Sequence, residues 1–382
     1  MTAVMSFPTR ILYGRGSIRE LPAELKRAGA SRPLLVTDKG ILQAGLLQFV
    51  TPLLEQAGIK AQVFSEFEAN PTDRDALRGI EAYRSAGADS VLGFGGGASL
   101  DMAKAIALLV HHEPPLPQYD DAKGGDARIT ARIPPILQVP TTAGTGSEVG
   151  RSTVLVIDGT KTVIFSPFLM ARAALLDPEL TVGLPPFITA ATGMDALTHN
   201  LEAYVAKGEH PLADAIAIDG LRRISAHLER AVHDGKDLEA REQMLLGSTF
   251  GAIAFQKGLG ACHSVAHALT PVAGTHHGLA NSLMLPTVVS FNRAVAEERL
   301  ADAAVALGAD PKMGAQERAH LCAELVDDLR GACGLPRRLS QAGVRRDMIP
   351  KIVEKALADA CHLSNPRPVT QVDFERLVNE AF

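Results

Sequence analysis

The stretch Ser90-Val-Leu-Gly-Phe-Gly-Gly-Gly-Ala-Ser-Leu-Asp101-Met-Ala-Lys104 decides the fold. It runs from an apolar β-like segment through three consecutive glycines into a helical pattern. Gly95, Gly96 and Gly97 permit positive φ and a close approach of a ligand to the backbone. The helix that follows offers free N–H groups and the positive end of its dipole, which suits a pyrophosphate. Gly93-x-Gly95-x-x-Ala98 also fits the loose dinucleotide pattern, a weak signal alone. The competing account is a tight strand-to-helix turn with no ligand.

On either side of this stretch the same alternation continues. Leu34–Thr37, Ala61–Phe64, Ile136–Val139 and Ala174–Asp177 are β-like, and Ile41–Gln56, Thr72–Ala86 and Ser99–Val110 have helical spacing. Alternating strands and helices imply a mostly parallel sheet covered on both faces. Glu113–Ile133 reads as an irregular excursion. After Pro185-Pro186 the strand signal stops, and Phe187–Val205, Pro211–Val232, Leu238–Phe255 and the chain beyond Gly278 carry apolar residues every three to four positions. The expected fold is therefore an α/β dinucleotide-binding domain over 1–182 followed by an all-α domain over 183–382.

A second loop, Pro140-Thr-Thr-Ala-Gly-Thr-Gly-Ser-Glu148, follows another short strand and is rich in hydroxyls that can bond phosphate, ribose or amide groups. Asp38, closing Leu34-Leu-Val-Thr-Asp38, is the candidate acidic residue for ribose hydroxyls and favours NAD over NADP. A helix N-cap is the alternative account of that aspartate.

The composition excludes several classes. Of 382 residues 46% are hydrophobic and 21% charged, and Lys plus Arg number 38 against 43 Asp plus Glu, for a net charge of −5. That balance argues against a dedicated binder of nucleic acid or anionic membranes. Cys262, Cys322, Cys333 and Cys361 show no C-x-x-C spacing, and with no signal-peptide pattern at the N-terminus they suit a reducing cytoplasm. No apolar run is long enough for a membrane span.

The helical half carries the metal chemistry. Asp195 and His199 are spaced i, i+4 and share one helix face; His263 and His267 repeat that spacing on another helix, and His276 and His277 open the next. One carboxylate and three imidazoles suit Fe²⁺ or Zn²⁺. Any one of these histidines alone is more often structural, and spacing does not say which of His263, His267, His276 and His277 bind.

Together, the Gly95-Gly-Gly loop with Asp101 and Lys104, Pro140-Thr-Thr-Ala-Gly-Thr-Gly-Ser-Glu148, Asp177-Pro-Glu-Leu180, Ala190-Ala-Thr-Gly-Met-Asp-Ala-Leu-Thr-His199, Cys262-His-Ser-Val-Ala-His267, His277-Gly278 and Asn365-Pro-Arg367 resemble the iron-dependent (group III) alcohol dehydrogenases over essentially the whole chain. The resemblance implies catalysis in a cleft between a dinucleotide domain and a helical metal domain. It implies Asp195, His199, His263 and His277 as metal ligands and His267 as the proton-transfer group. It places Asp38, Asn70, Gly96, Gly97, Ala98, Ser99, Thr141, Thr142, Thr145, Lys161 and Leu180 at NAD, and Phe255 and Cys361 in the substrate pocket. Ala98 departs from a serine common in the family, and His276 stands where proline is frequent.

The implied function is interconversion of a short-chain alcohol and its carbonyl compound with NAD and a divalent metal. Gln256-Lys257 and Cys361-His362 resemble the 4-hydroxybutyrate dehydrogenases, with Lys257 as the expected cation for a substrate carboxylate, aided by His362 or Arg151; a solvated helix-end lysine is the alternative account of Lys257. A metal-independent maleylacetate-reductase-like enzyme and a dehydroquinate-synthase-like lyase are the alternatives. The first would not need the full ligand set, and the second calls for basic residues around the metal, which these helices carry sparsely. The β-like Arg10–Tyr13 segment could pair with a second subunit, so a homodimer is expected.

Overall fold

The computed structural model describes residues 9–382. In the N-terminal half the strands are β1 (Arg10–Tyr13), β2 (Pro33–Val36), β3 (Gln62–Phe64), β4 (Ser90–Gly95), β5 (Ile136–Pro140), β6 (Ser152–Ile157), β7 (Thr160–Phe165) and β8 (Ala173–Leu176). The helices there are α1 (Leu21–Arg27), α2 (Lys39–Gln43), α3 (Thr51–Gln56), α4 (Asp73–Ser85) and α5 (Gly97–His111). Six strands form a parallel sheet in the order β1-β8-β5-β4-β2-β3. The strand order reverses between β2 and β4, which opens a crevice at their carboxyl ends.

Strands β2, β4, β5 and β8 are buried throughout, as a sheet covered on both faces requires. Successive side chains go to opposite faces. Leu34 and Val36 pack with Phe64, Ile80 and Ile106, whereas Leu35 packs with Leu21, Leu54 and Phe94. Thr72 and Asp75 form a capping box that starts α4.

Two expectations change. The single helix over Ile41–Gln56 is broken, because Gly45 takes φ 68° between α2 and α3. The segment after the second glycine loop is an antiparallel hairpin, β6 against β7, turning at Asp158 (φ 49°) and Gly159 (φ 70°). The excursion over Glu113–Ile133 is a series of short 3₁₀ turns.

The second half is helical: α6 (Pro186–Val205), α7 (Pro211–His233), α8 (Leu238–Ala254), α9 (Ala261–Ala273), α10 (His277–Leu307), α11 (Ala315–Ala332), α12 (Ile349–Ala358) and α13 (Gln371–Ala381). Chain contacts divide the protein into two units. One holds the sheet and ends at Gly183; the other runs from Leu184 to Phe382 and takes in the loop tip Ala143–Thr145. No helix among the described residues is long and apolar enough to cross a membrane.

Helix α6 is the axis of the helical unit and is buried from Thr189 to Val205. Glycines let its neighbours come close. A Cβ on Gly278 would lie 2.1 Å from the carbonyl oxygen of Ala191, and one on Gly251 would lie 2.9 Å from Cβ of His199.

Candidate active site

The sheet unit gathers its polar groups at the strand reversal. Asp38 is the N-cap of α2: Oδ1 accepts from Ile41 N at 3.0 Å, and Oδ2 accepts from Ser99 Oγ at 2.8 Å. A carboxylate has lone pairs to spare for ribose hydroxyls. Gly95 has φ 147°, and a Cβ there would sit 2.6 Å from Ser99 Oγ and 3.3 Å from Asp38 Oδ2. Gly96 and Gly97 follow as N-cap and first residue of α5, with Thr142 3.4 Å from a Cβ on Gly96. Thr141 bonds through its backbone N to Gly95 O, and its buried Oγ1 has no hydrogen-bond partner among the described residues. Spare carboxylate lone pairs, side-chain-free backbone at a helix N-terminus and an orphaned hydroxyl fit a dinucleotide.

Other expected cofactor residues lie differently. Ser99 is fully buried with its hydroxyl given to Asp38, and Leu180 is buried in the sheet unit's core, so neither side chain faces outward. Asn70 is exposed ahead of α4, Ala98 packs partly against the core, Lys161 is on β7 and Thr145 belongs to the helical unit.

Lys104, conspicuous in the opening motif, is fully buried. Its Nζ donates to Ser147 O (2.6 Å), Ser147 Oγ (3.0 Å), Gly150 O (3.0 Å) and Ser152 O (2.9 Å). It clamps the second glycine loop to α5. Burial pushes it down to about 8, against the opposing charges of Asp101 and Glu148.

In the helical unit, Asp195, His263 and His277 converge. Asp195 Oδ1 is 3.7 Å from His263 Nε2 and 3.6 Å from His277 Nε2, and the three ligand atoms lie within 4.8 Å of one another. His199, expected as a fourth ligand, is not in that group. Its ring stacks on His263 at 4.5 Å, with Phe255 at 5.2 Å on another side, and its buried Nδ1 has no hydrogen-bond partner among the described residues. Burial pushes His199 down to about 4, which keeps it a neutral lone-pair donor. Burial alone would raise Asp195, but His199, His277 and His263 outweigh it and hold the carboxyl well below the usual range. One carboxylate oxygen, two converging Nε2 atoms and a neutral imidazole alongside fit Fe²⁺ or Zn²⁺. His276 is exposed at the N-cap of α10, so it is His277 that turns inward.

Two residues here escaped the sequence reading. Asn281 points its Nδ2 at Asp195 Oδ1 (2.7 Å), with His263 Nε2 and His277 Nε2 each at 3.3 Å. Glu202 places Oε2 2.6 Å from His263 Nδ1. Both stand on motif helices, at i+4 from His277 and i+3 from His199, and that spacing was the available signal.

His267 faces a different carboxylate. Its Nδ1 lies 2.8 Å from Asp359 Oδ2, while Asp359 Oδ1 accepts from Ser264 Oγ and Cys361 N, each at 2.8 Å. Cys361 Sγ is 4.0 Å from His267 Nδ1. Burial and the charge of Asp359 push the thiol of Cys361 up, so it stays neutral.

Lys257 is not an open cation. Its side chain is 1% exposed, pairs with Asp214 and donates to Tyr204 O at 2.9 Å, so its charge is already matched and closed off from solvent. His362 spends Nδ1 on Asp359 O (2.6 Å) and sets its ring edge-on to Phe374. Arg151 is half-buried in the sheet unit, over the Phe165 ring at 5.1 Å, with no ion-pair partner among the described residues.

A parallel sheet of the dinucleotide-binding kind and a helical unit with a carboxylate–imidazole cluster together fit the architecture of a nucleotide-linked oxidoreductase. Residues 8–178 match the family described as iron-containing alcohol dehydrogenase, and residues 189–382 match the Fe-containing alcohol dehydrogenase family, C-terminal. The chain belongs to this family. It is 41% identical to a 4-hydroxybutyrate dehydrogenase of Cupriavidus necator, over 99% of this chain and 100% of that protein. It is 34% identical to an NAD-dependent methanol dehydrogenase of Bacillus methanolicus, over 98% of each. The crystal structure of a 1,3-propanediol oxidoreductase superposes with a TM-score of 0.95 at 34% identity, over 100% of both chains.

Proposed function

We propose that the protein is an NAD-linked, Fe²⁺-dependent alcohol dehydrogenase whose substrates are a short-chain ω-hydroxy acid, of the 4-hydroxybutyrate type, and its semialdehyde. The observation that carries the metal chemistry is the convergence of Asp195 Oδ1, His263 Nε2 and His277 Nε2. Asp195, His199, His263 and His277 would hold the ion. When bound, the ion supplies charge stabilisation at the substrate oxygen and the nicotinamide supplies the hydride acceptor.

The chain's own residues do the rest. Asp38 selects NAD by accepting ribose hydroxyls and repelling a 2′-phosphate. Asp359 holds the proton of His267 on Nδ1, which leaves Nε2 as the atom that takes the substrate proton. Cys361 and Phe255 belong to the substrate pocket, the thiol as a small neutral wall.

The substrate class rests on the relative from Cupriavidus necator and on Arg151. Arg151 is half-buried over the Phe165 ring, with no carboxylate beside it among the described residues, which leaves its charge only partly compensated. Burial lowers Arg151, with no acidic group opposing the shift. A substrate carboxylate would complete it. The protein acts in the cytoplasm as a homodimer, paired through β1, the sheet's edge strand.

The test follows NADH absorbance at 340 nm with 4-hydroxybutyrate against 1-butanol, and succinic semialdehyde against butanal, with and without added Fe²⁺. Arg151→Ala should raise KM for the charged member of each pair about tenfold to a hundredfold, the worth of a charge-assisted bond. Equal efficiency for charged and uncharged substrates in wild type would replace the hydroxy acid with a simple alcohol. Turnover unchanged after complete metal removal would overturn the metal role.

A further inference from the structure

Helix α9 begins at Gly260, which has no side chain to cap it, yet its first N–H groups are satisfied. Ala261 N donates to Asn365 Oδ1 at 3.2 Å, and Cys262 N donates to Glu202 Oε1 at 2.8 Å. Gly260 makes room for both acceptors, since a Cβ there would lie 2.5 Å from Glu202 Oε1 and 2.8 Å from Asn365 Oδ1. Glu202 is 2% exposed, and its ion-pair partner among the described residues is His263 alone. A buried carboxylate with neither lysine nor arginine needs repayment from its donors. Here they are the N-terminus of α9, with its positive dipole end, and the imidazole of His263 at 2.6 Å.

That imidazole has two ends with separate duties. Nδ1 faces Glu202 and Nε2 faces Asp195. A carboxylate on one nitrogen holds the proton there, leaves the lone pair on the other and raises its basicity. Building on the metal role proposed above, we infer that Glu202 is a positioning residue: it fixes the Nδ1–H form of His263 and aims Nε2 at the metal. The carboxylate is reused from the helix cap, so the start of α9 and the orientation of a ligand are set by one side chain.

The test is metal affinity rather than turnover. Zn²⁺ and Co²⁺ dissociation constants, by chelator competition, should rise about 10–100-fold in Glu202→Gln. The Co²⁺ visible spectrum should shift with the altered ligand. Asn365→Ala removes the neighbouring cap without touching His263, so it should lower Tm and leave metal affinity within twofold. A second measurement needs no variant: in the Zn²⁺-loaded wild type, ¹⁵N spectra should show His263 protonated at Nδ1 and metal-bound at Nε2. Affinity within twofold in Glu202→Gln, an equal loss in Asn365→Ala, or metal on Nδ1 would each overturn the inference and leave the metal role standing. A wild-type chain that binds neither ion overturns both.

Discussion

Asp359→Asn should cut kcat about tenfold to 150-fold, and the geometry says why. In the wild type Oδ1 accepts from both Ser264 Oγ and Cys361 N, while Oδ2 faces His267 Nδ1. An asparagine keeps its one oxygen where two donors meet, so its NH₂ must turn toward His267. Two donors cannot share that contact, and His267 responds by moving its proton to Nε2, the atom needed as a base. What is lost is a charge-assisted hydrogen bond to the imidazolium, worth about 1.5–3 kcal/mol, and 1.4 kcal/mol is about a factor of ten. Steady-state assays at 340 nm on wild type, Asp359→Asn, His267→Ala and the double variant form the cycle. The Asp359 change should cost almost nothing once His267 is gone. A loss under threefold, or the same loss in the His267→Ala background, would refute the assignment.

Asp359 also predicts an acid limb. Burial favours its neutral form, but the charge and hydrogen bond of His267, with Cys361 N and Ser264, carry it well below the usual carboxylate range. Its folded value is depressed, so the stability it contributes is full above about pH 4 and is lost as pH falls further; the wild-type advantage over Asp359→Asn in urea unfolding should shrink there. Asp195→Ala and His277→Ala should each purify with little metal by elemental analysis, whereas His267→Ala should keep it. Lys104→Met should destabilise the sheet unit by about 3–5 kcal/mol in chemical denaturation, because it strands buried groups that the ammonium satisfied. Asp38→Gly should raise the NADP to NAD ratio of kcat/KM, and a wild-type preference for NADP would contradict the ribose role of Asp38.

How much of this was legible depended on how local the cause was. Strands buried on both faces advertise themselves as apolar runs, so β2, β4, β5 and β8 stood out. The hairpin was missed although Ser152–Ile157 is rich in β-branched residues and alternates between half-buried and buried positions, the signs of a strand with one covered face. The signal missed was Asp158-Gly159, a dipeptide suited to a turn with two positive φ values. His263 and His267 look equivalent at i, i+4 spacing. Their difference lies in distant carboxylates, Glu202 and Asp359, which are 61 and 92 residues away along the chain. Lys257 misled for the same reason, since its partner Asp214 is 43 residues upstream. Local sequence shows which chemistry a side chain can do; the partner that consumes it or tunes it comes from elsewhere.

The contact of Gly278 with α6 has a bearing on which ions the protein would accept. Where a Cβ would meet a carbonyl oxygen at 2.1 Å, two backbones already touch, and nothing compressible separates them. His277 begins the helix on one side of that contact and Asp195 sits on the other. The backbone separation beneath these two side chains is thus gauged by van der Waals radii. A stiff cage of this kind sorts ions by size. Ions bound at about 2.0–2.2 Å, such as Zn²⁺, should exchange for one another more readily than for Ca²⁺, which needs about 2.3–2.6 Å and more oxygens. Gly278→Ala would wedge the helices apart and loosen that discrimination before it touched any ligand.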